Sequence, residues 1–136
     1  MTAGYSGTPL ARKLSLKDRM RLWWDGVPDS VRAEIESEGL ALTLSCEPPV
    51  EAAHLFVTER ATLDCKLRLL LPLLADSGFV WVSWPKKAAK VETDITEDVI
   101  REVALPLGLV DVKVCAVDST WSGLKLMIRK ANRSGG

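Results

Sequence analysis

The last third of the chain constrains its fold most. Trp84-Pro85-Lys86-Lys87 closes one apolar run and Asp94 to Asp98 opens a capped helical run. The stretch from Gly108 onward then holds two β-rich runs, Leu109 to Val117 and Leu124 to Lys130, separated by the polar link Asp118 to Gly123. A connection this short makes the two strands antiparallel neighbours. Upstream, strand-like and helix-like runs alternate, the pattern of parallel strands joined by helical crossovers. The predicted fold is therefore a single open three-layer α/β sheet, mostly parallel, of about six strands, ending in an antiparallel hairpin.

The same reading assigns the individual elements. Thr8-Pro9-Leu10 starts a short helix through Leu14, with a hydroxyl cap and proline at the first helical position. Met20 to Trp24 is a first strand, turned by Asp25-Gly26-Val27-Pro28; Val31 and Ile35 then recur at helical spacing up to Gly39. Leu40 to Ser45 and Ala53 to Thr58 are the second and third strands, broken by Cys46-Glu47-Pro48-Pro49. Leucines 63, 67, 70, 71 and 74 mark one face of a long helix whose last turn Pro72 shortens. Phe79 to Trp84 is a fourth strand, rich in β-formers. Thr96 caps a helix with Glu97 and Asp98 in its first turn, where carboxylates complement the dipole, and Gly108 stops it. By domains, residues 1–19 read as an N-terminal arm with its short helix, 20–131 as one α/β domain and 132–136 as a flexible tail.

Composition limits the function classes. A chain of 136 residues, 47% of them hydrophobic, sustains one real core. Eighteen basic residues balance eighteen acidic ones, so no global field gathers nucleic acid or anionic lipid. The longest strongly apolar run, Leu69 to Ala75, contains Pro72 and falls far short of the roughly 20 residues that span a bilayer. The start of the chain shows neither a basic n-region nor an apolar h-region, so the expected location is the cytoplasm, with no membrane partner. Cys46, Cys65 and Cys115 have no paired spacing, which argues against disulfides and zinc; Cys65 and Cys115 are expected in the core.

Catalytic constellations are scarce. The single histidine, His54, opens an apolar strand and reads as structural, with no cluster for a metal or a nucleophile–base pair. Ser6 between Gly4 and Gly7 matches neither a nucleophile elbow nor a phosphate loop. A nucleotide-binding sheet needs glycines after its first strand, so that backbone can approach the ligand at a helix N-terminus. The turn after Trp24 has one glycine and a proline. Glu47, about 20 residues past Asp25, falls where a ribose-binding acid would stand, or is simply a loop residue before two prolines. The tryptophans at 23, 24, 81, 84 and 121 are either core or, for Trp84 and Trp121, walls of a cleft at the strand ends. Lys86, Lys87 and Lys90 either hold an anion at the carboxyl edge or form a solvated loop; Glu92, Asp94, Glu97 and Asp98 offset their field. Nucleic acid is not an expected partner, because the basic surface is narrow.

Three blocks carry a resemblance: Gly-Tyr-Ser-Gly-x-Pro-Leu-Ala-x-Lys-Leu at Gly4 to Leu14, Trp84-Pro85-Lys86-Lys87, and Leu107 to Lys125. They resemble a family of small bacterial proteins that carry a domain of unknown function. The closing hairpin also looks like the S-adenosylmethionine-dependent methyltransferase architecture, a Rossmann-like sheet, in shortened form. That likeness implies a fold and leaves the activity open. The expected function is a non-catalytic module that binds a small molecule or a partner protein; the alternative is a small-molecule transferase with a degenerate S-adenosylmethionine-type site. Neither the cofactor nor the partner is identifiable from these residues. In a parallel sheet the strand ends share one rim, which gathers Lys86, Lys87, Asp118, Trp121 and Ser122 into one candidate surface, with Tyr5 folded nearby.

Overall fold

Strands with no polar alternation are covered on both faces, and two such runs form the centre of the sheet. The computed structural model describes residues 9–129. The chain runs through α1 (Leu10–Lys13), β1 (Arg21–Asp25), α2 (Asp29–Glu36), β2 (Thr43–Leu44), β3 (Val50–Phe56), α3 (Arg60–Leu70), β4 (Leu74–Pro85), α4 (Glu97–Ala104), β5 (Leu109–Ala116) and β6 (Trp121–Ile128). The six strands form one sheet in the order β2-β1-β3-β4-β6-β5. Pairings among β2, β1, β3 and β4 are parallel, and β6 lies antiparallel between β4 and β5. The mostly parallel sheet with its closing hairpin is thus present, with β2 and β5 as its edge strands.

Helices cover both faces. On one, Leu55, Val80, Val82 and Leu124 of the sheet meet Leu63 and Leu67 of α3 and Ile100 of α4. On the other, Ala52, Phe79 and Trp81 meet Leu10 and Leu14 from α1 and Val31 and Ile35 from α2. The Trp81 indole N–H donates to the Leu14 carbonyl at 2.8 Å, so a buried donor is satisfied by the end of α1. Pro72 converts the end of α3 into a 3-10 turn, Leu71–Leu73, and Gly108 ends the α4 segment at φ 91°.

Several details depart from the sequence reading. Cys65 is exposed; the buried stripe of α3 is Leu63, Leu67 and Leu70, and a residue two positions after Leu63 points away from it. Cys115 is only partly buried. The second strand shrinks to Thr43–Leu44, since the chain turns back at once through two prolines to start β3. The third and fourth strands begin earlier than expected, at Val50 and Leu74. The hairpin link is also shorter: Trp121 already belongs to β6, paired with Pro85. Thr8, Lys130 and the 132–136 tail lie outside the described residues.

Candidate functional site at the carboxyl rim

The parallel strands end together at Asp25, Phe56 and Pro85, and β5 ends on the same rim at Ala116. β6 begins there. The Lys86 N–H donates to the Thr120 carbonyl at 2.8 Å, which brings the Trp84–Lys87 block against the hairpin turn. Asp118 organises that turn: its Oδ1 accepts the N–H groups of Thr120 and Trp121, both at 2.8 Å. This is a side-chain-stapled turn, for which aspartate is favoured.

The sheet divides the candidate residues between its two faces. Pro85 pairs with Trp121 and Trp84 with Ser122, and successive side chains on a strand point to opposite faces. Trp84 packs against the α3/α4 core, and Trp121 against the α1/α2 core. The two tryptophans therefore do not line a common cleft. Trp121 meets Phe56 edge-on, 5.0 Å between centroids, and Phe56 stacks on His54 at 4.4 Å. Trp84, Lys86 and Lys87 instead share a cleft of about 470 Å³ with Thr93, Thr96 and Glu97, beside the first turn of α4. Thr96 Oγ1 accepts the Val99 N–H at 3.2 Å and fixes that turn. Tyr5 lies outside the described residues.

A second, polar cleft of about 420 Å³ adjoins it, lined by Thr58, Glu59, Glu92, Thr93 and Asp94. The loop between them is tied down. Thr93 Oγ1 donates to the Thr58 carbonyl at 2.7 Å, and Asp94 Oδ1 accepts the Arg60 N–H at 2.7 Å, satisfying a donor at the start of α3.

Beneath the rim, His54 Nε2 and Ser83 Oγ are 2.7 Å apart. Both residues are buried, and burial lowers the His54 pKa to about 3, so the imidazole is neutral at physiological pH. A neutral ring and a hydroxyl satisfy one another there, bridging β3 and β4. The structural reading of His54 agrees with this placement; Ser83 as its partner was not visible in the sequence, because it depends on the β3–β4 register. Among the described residues, no group of three His, Cys, Asp or Glu could hold a metal ion.

The strand order reverses between β1 and β3, where α/β sheets of this kind open their ligand crevice. Here the turn after β1 packs closely against the end of β3. Gly26 has φ 73°, and a Cβ added to it would lie 3.2 Å from the Phe56 carbonyl oxygen, so the turn's single glycine serves a close approach of backbone to backbone. The Asp25 carboxylate is held by Lys66 of α3. β2 ends opposite Leu22, short of the level of Asp25, and Pro48 already accepts from the Arg21 guanidinium at the first residue of β1. The link carrying Glu47 thus returns toward the amino edge. The spacing that suggested a ribose-binding role for Glu47 is not matched by a strand long enough to lift it to the rim. These residues do not fit an adenosine-type cofactor held by a glycine-rich turn.

No family model matches the chain, and no curated protein matches it. Solved structures do. The ribosomal protein L11 methylase from Lactobacillus delbrueckii subsp. bulgaricus superposes with TM-score 0.54 at 10% identity, over 88% of this chain and 75% of that one. An S-adenosylmethionine-dependent methyltransferase from Clostridium acetobutylicum ATCC 824 gives TM-score 0.54 at 9% identity, over 88% and 87%. LepI in complex with SAM gives TM-score 0.54 at 10% identity, over 90% of this chain and 47% of that one, so the chain spans about half of that protein. The chain thus has the Rossmann-like fold of the S-adenosylmethionine-dependent methyltransferases. No helix among the described residues is long and apolar enough to cross a membrane.

Proposed function

We propose that this chain is a small-molecule-binding protein built on the methyltransferase fold, and that it binds its ligand in the Trp84–Lys86–Thr96 cleft, away from the usual cofactor crevice. The observation that carries this reading is the close Gly26–Phe56 approach at the switch point together with an open cleft on the same rim. Trp84 supplies a flat apolar wall, Lys86 and Lys87 supply charge, and the first turn of α4 adds its dipole. A small anionic molecule with a ring suits such a lining. The chain's own residues then bind and orient without a reacting group, which is a non-catalytic role in the cytoplasm.

The fold likeness favours the second reading, a small-molecule transferase with a degenerate S-adenosylmethionine-type site, because the structures it matches include methyltransferases. Against it stand the Gly26–Phe56 approach and the short β2. The resemblance of Gly4 to Leu14, Trp84 to Lys87 and Leu107 to Lys125 to the family of small bacterial proteins is compatible with either.

Calorimetric titration with S-adenosylmethionine separates the two. No saturable heat at millimolar ligand is the outcome expected of the binding module; tight stoichiometric binding would overturn it and revive the transferase reading. Thermal-shift measurements against phosphorylated and nucleotide metabolites then identify the ligand, since one that binds only the native state raises the midpoint. Replacing Lys86 and Lys87 by Ala should abolish that rise.

A further inference from the structure

The face of the hairpin that carries α1 concentrates positive charge at the opposite, amino-edge end of the sheet. Lys113 of β5 and Lys125 of β6 are direct partners in the antiparallel register. Like charges placed opposite each other on a sheet are destabilising. Lys125 reaches inward, its Nζ 3.0 Å from Ser15 Oγ and 4.5 Å from the centroid of the Phe79 ring. Ser15, Lys17, Phe79 and Lys125 line one cleft of about 530 Å³. Burial, Lys113 and Lys17 all push the Lys125 pKa down, so the charges acting on this ammonium are like charges.

Among the described residues, no carboxylate forms a salt bridge with Lys17, Lys113 or Lys125. Glu51 lines the cleft, but its Oε1 accepts the Arg21 N–H at 2.9 Å. Asp18 Oδ1 accepts the Ala41 N–H at 2.6 Å, and Asp111 is held by Arg101. Residues 1–8 and 130–136 contain no Asp or Glu. Ser15 adds a second, independent sign. It follows the end of α1 in the left-handed region at φ 63°, where glycine is favoured, and its N–H donates to the Arg12 carbonyl at 3.0 Å. In this conformation, which carries some backbone strain for a serine, the Ser15 hydroxyl accepts from the Lys125 ammonium.

We propose that Lys17, Lys113, Lys125 and Ser15 form a binding site for a phosphoryl group. A phosphate ester carries about −1.5 to −2 charges at neutral pH and three strong acceptor oxygens, which suits several ammonium groups and a hydroxyl better than a single carboxylate does. The site is separate from the carboxyl-rim cleft, and its charge is local in a chain of zero net charge.

Thermal unfolding in sodium phosphate and in sodium pyrophosphate, each compared with sodium chloride at matched ionic strength, tests it. The unaltered protein should show a saturating rise of its midpoint in the phosphate series; phosphate also stabilises proteins generally by exclusion from their surface, but that effect does not saturate. Lys113→Gln should raise the midpoint in chloride, by relieving the Lys113–Lys125 repulsion, and should lose the saturating rise. Lys125→Met should lose it as well, and Arg68→Gln, on the exposed side of α3 and in neither cleft, should keep it. A rise that never saturates, or one that Lys113→Gln and Lys125→Met retain in full, would overturn the proposal.

Discussion

His54 is the residue whose burial has the clearest consequence. Its pKa is lowered to about 3 by desolvation, while in the unfolded chain it titrates near 6.5. Above the unfolded value the ring is neutral in both states and contributes no pH dependence. As pH falls below about 6.5 the unfolded chain takes up a proton that the native protein refuses, and stability declines until the native ring titrates near 3. The slope approaches about 1.4 kcal/mol per pH unit in that window. Urea unfolding at pH 7, 6 and 5 should show the decline, and His54→Gln should flatten it. An unchanged slope in the variant would remove His54 as its source. Gly26 yields a second prediction at this scale. With φ 73° and the Phe56 oxygen 3.2 Å from the position of a Cβ, Gly26→Ala should cost about 1–3 kcal/mol in the same assay, through strain and overpacking together.

Elements were legible where one local signal sufficed. Thr96 was read as a cap followed by two acids, and its Oγ1 accepts the Val99 N–H with Glu97 and Asp98 in the first turn. Thr96→Ala should therefore cost about 1 kcal/mol, measurable as a lowered denaturation midpoint with unchanged m-value. Glu97 and Asp98 of that turn also pair with Arg101, as does Asp111 of β5. Pairing was not legible. Whether Lys113 faces Lys125, or Ser83 meets His54, depends on register between strands far apart in sequence, and alternation within one strand says nothing about its neighbour. The expectation that Trp84 and Trp121 share a cleft fails for that reason: Pro85 pairs with Trp121, which leaves Trp84 on the other face. β2 is shorter than its apolar residues suggest, because Leu40 and Leu42 pack into the α1/α2 core without joining the ladder.

At the scale of the whole molecule, strand–helix alternation was enough to give the layered fold, because covering both faces of a parallel sheet leaves few topologies. What it could not give was how the second face is completed. Among the described residues, only α2 and the four-residue α1 contribute helix there, since β2 and β3 are joined without one. The short α1 thus fills a position that a crossover helix would otherwise take. Leu10, Ala11 and Leu14 are buried, and the Leu14 carbonyl satisfies Trp81, the largest fully buried side chain of the sheet. Too short to be stable alone, α1 is held by tertiary packing. Removing residues 1–15 should therefore strip the cover from Trp81 and leave its indole N–H without a protein partner. The expected result is a red-shifted tryptophan emission and a loss of several kcal/mol in urea unfolding, the sum of two buried leucines and one buried hydrogen bond. Leu14→Ala tests the same point with the chain otherwise intact: it should cost about 2–5 kcal/mol while preserving the backbone carbonyl, so Trp81 should keep its partner and most of its blue-shifted emission. If the truncated chain unfolds at the same urea concentration as the whole one, α1 is an appendage and the second face of the sheet is closed by α2 alone.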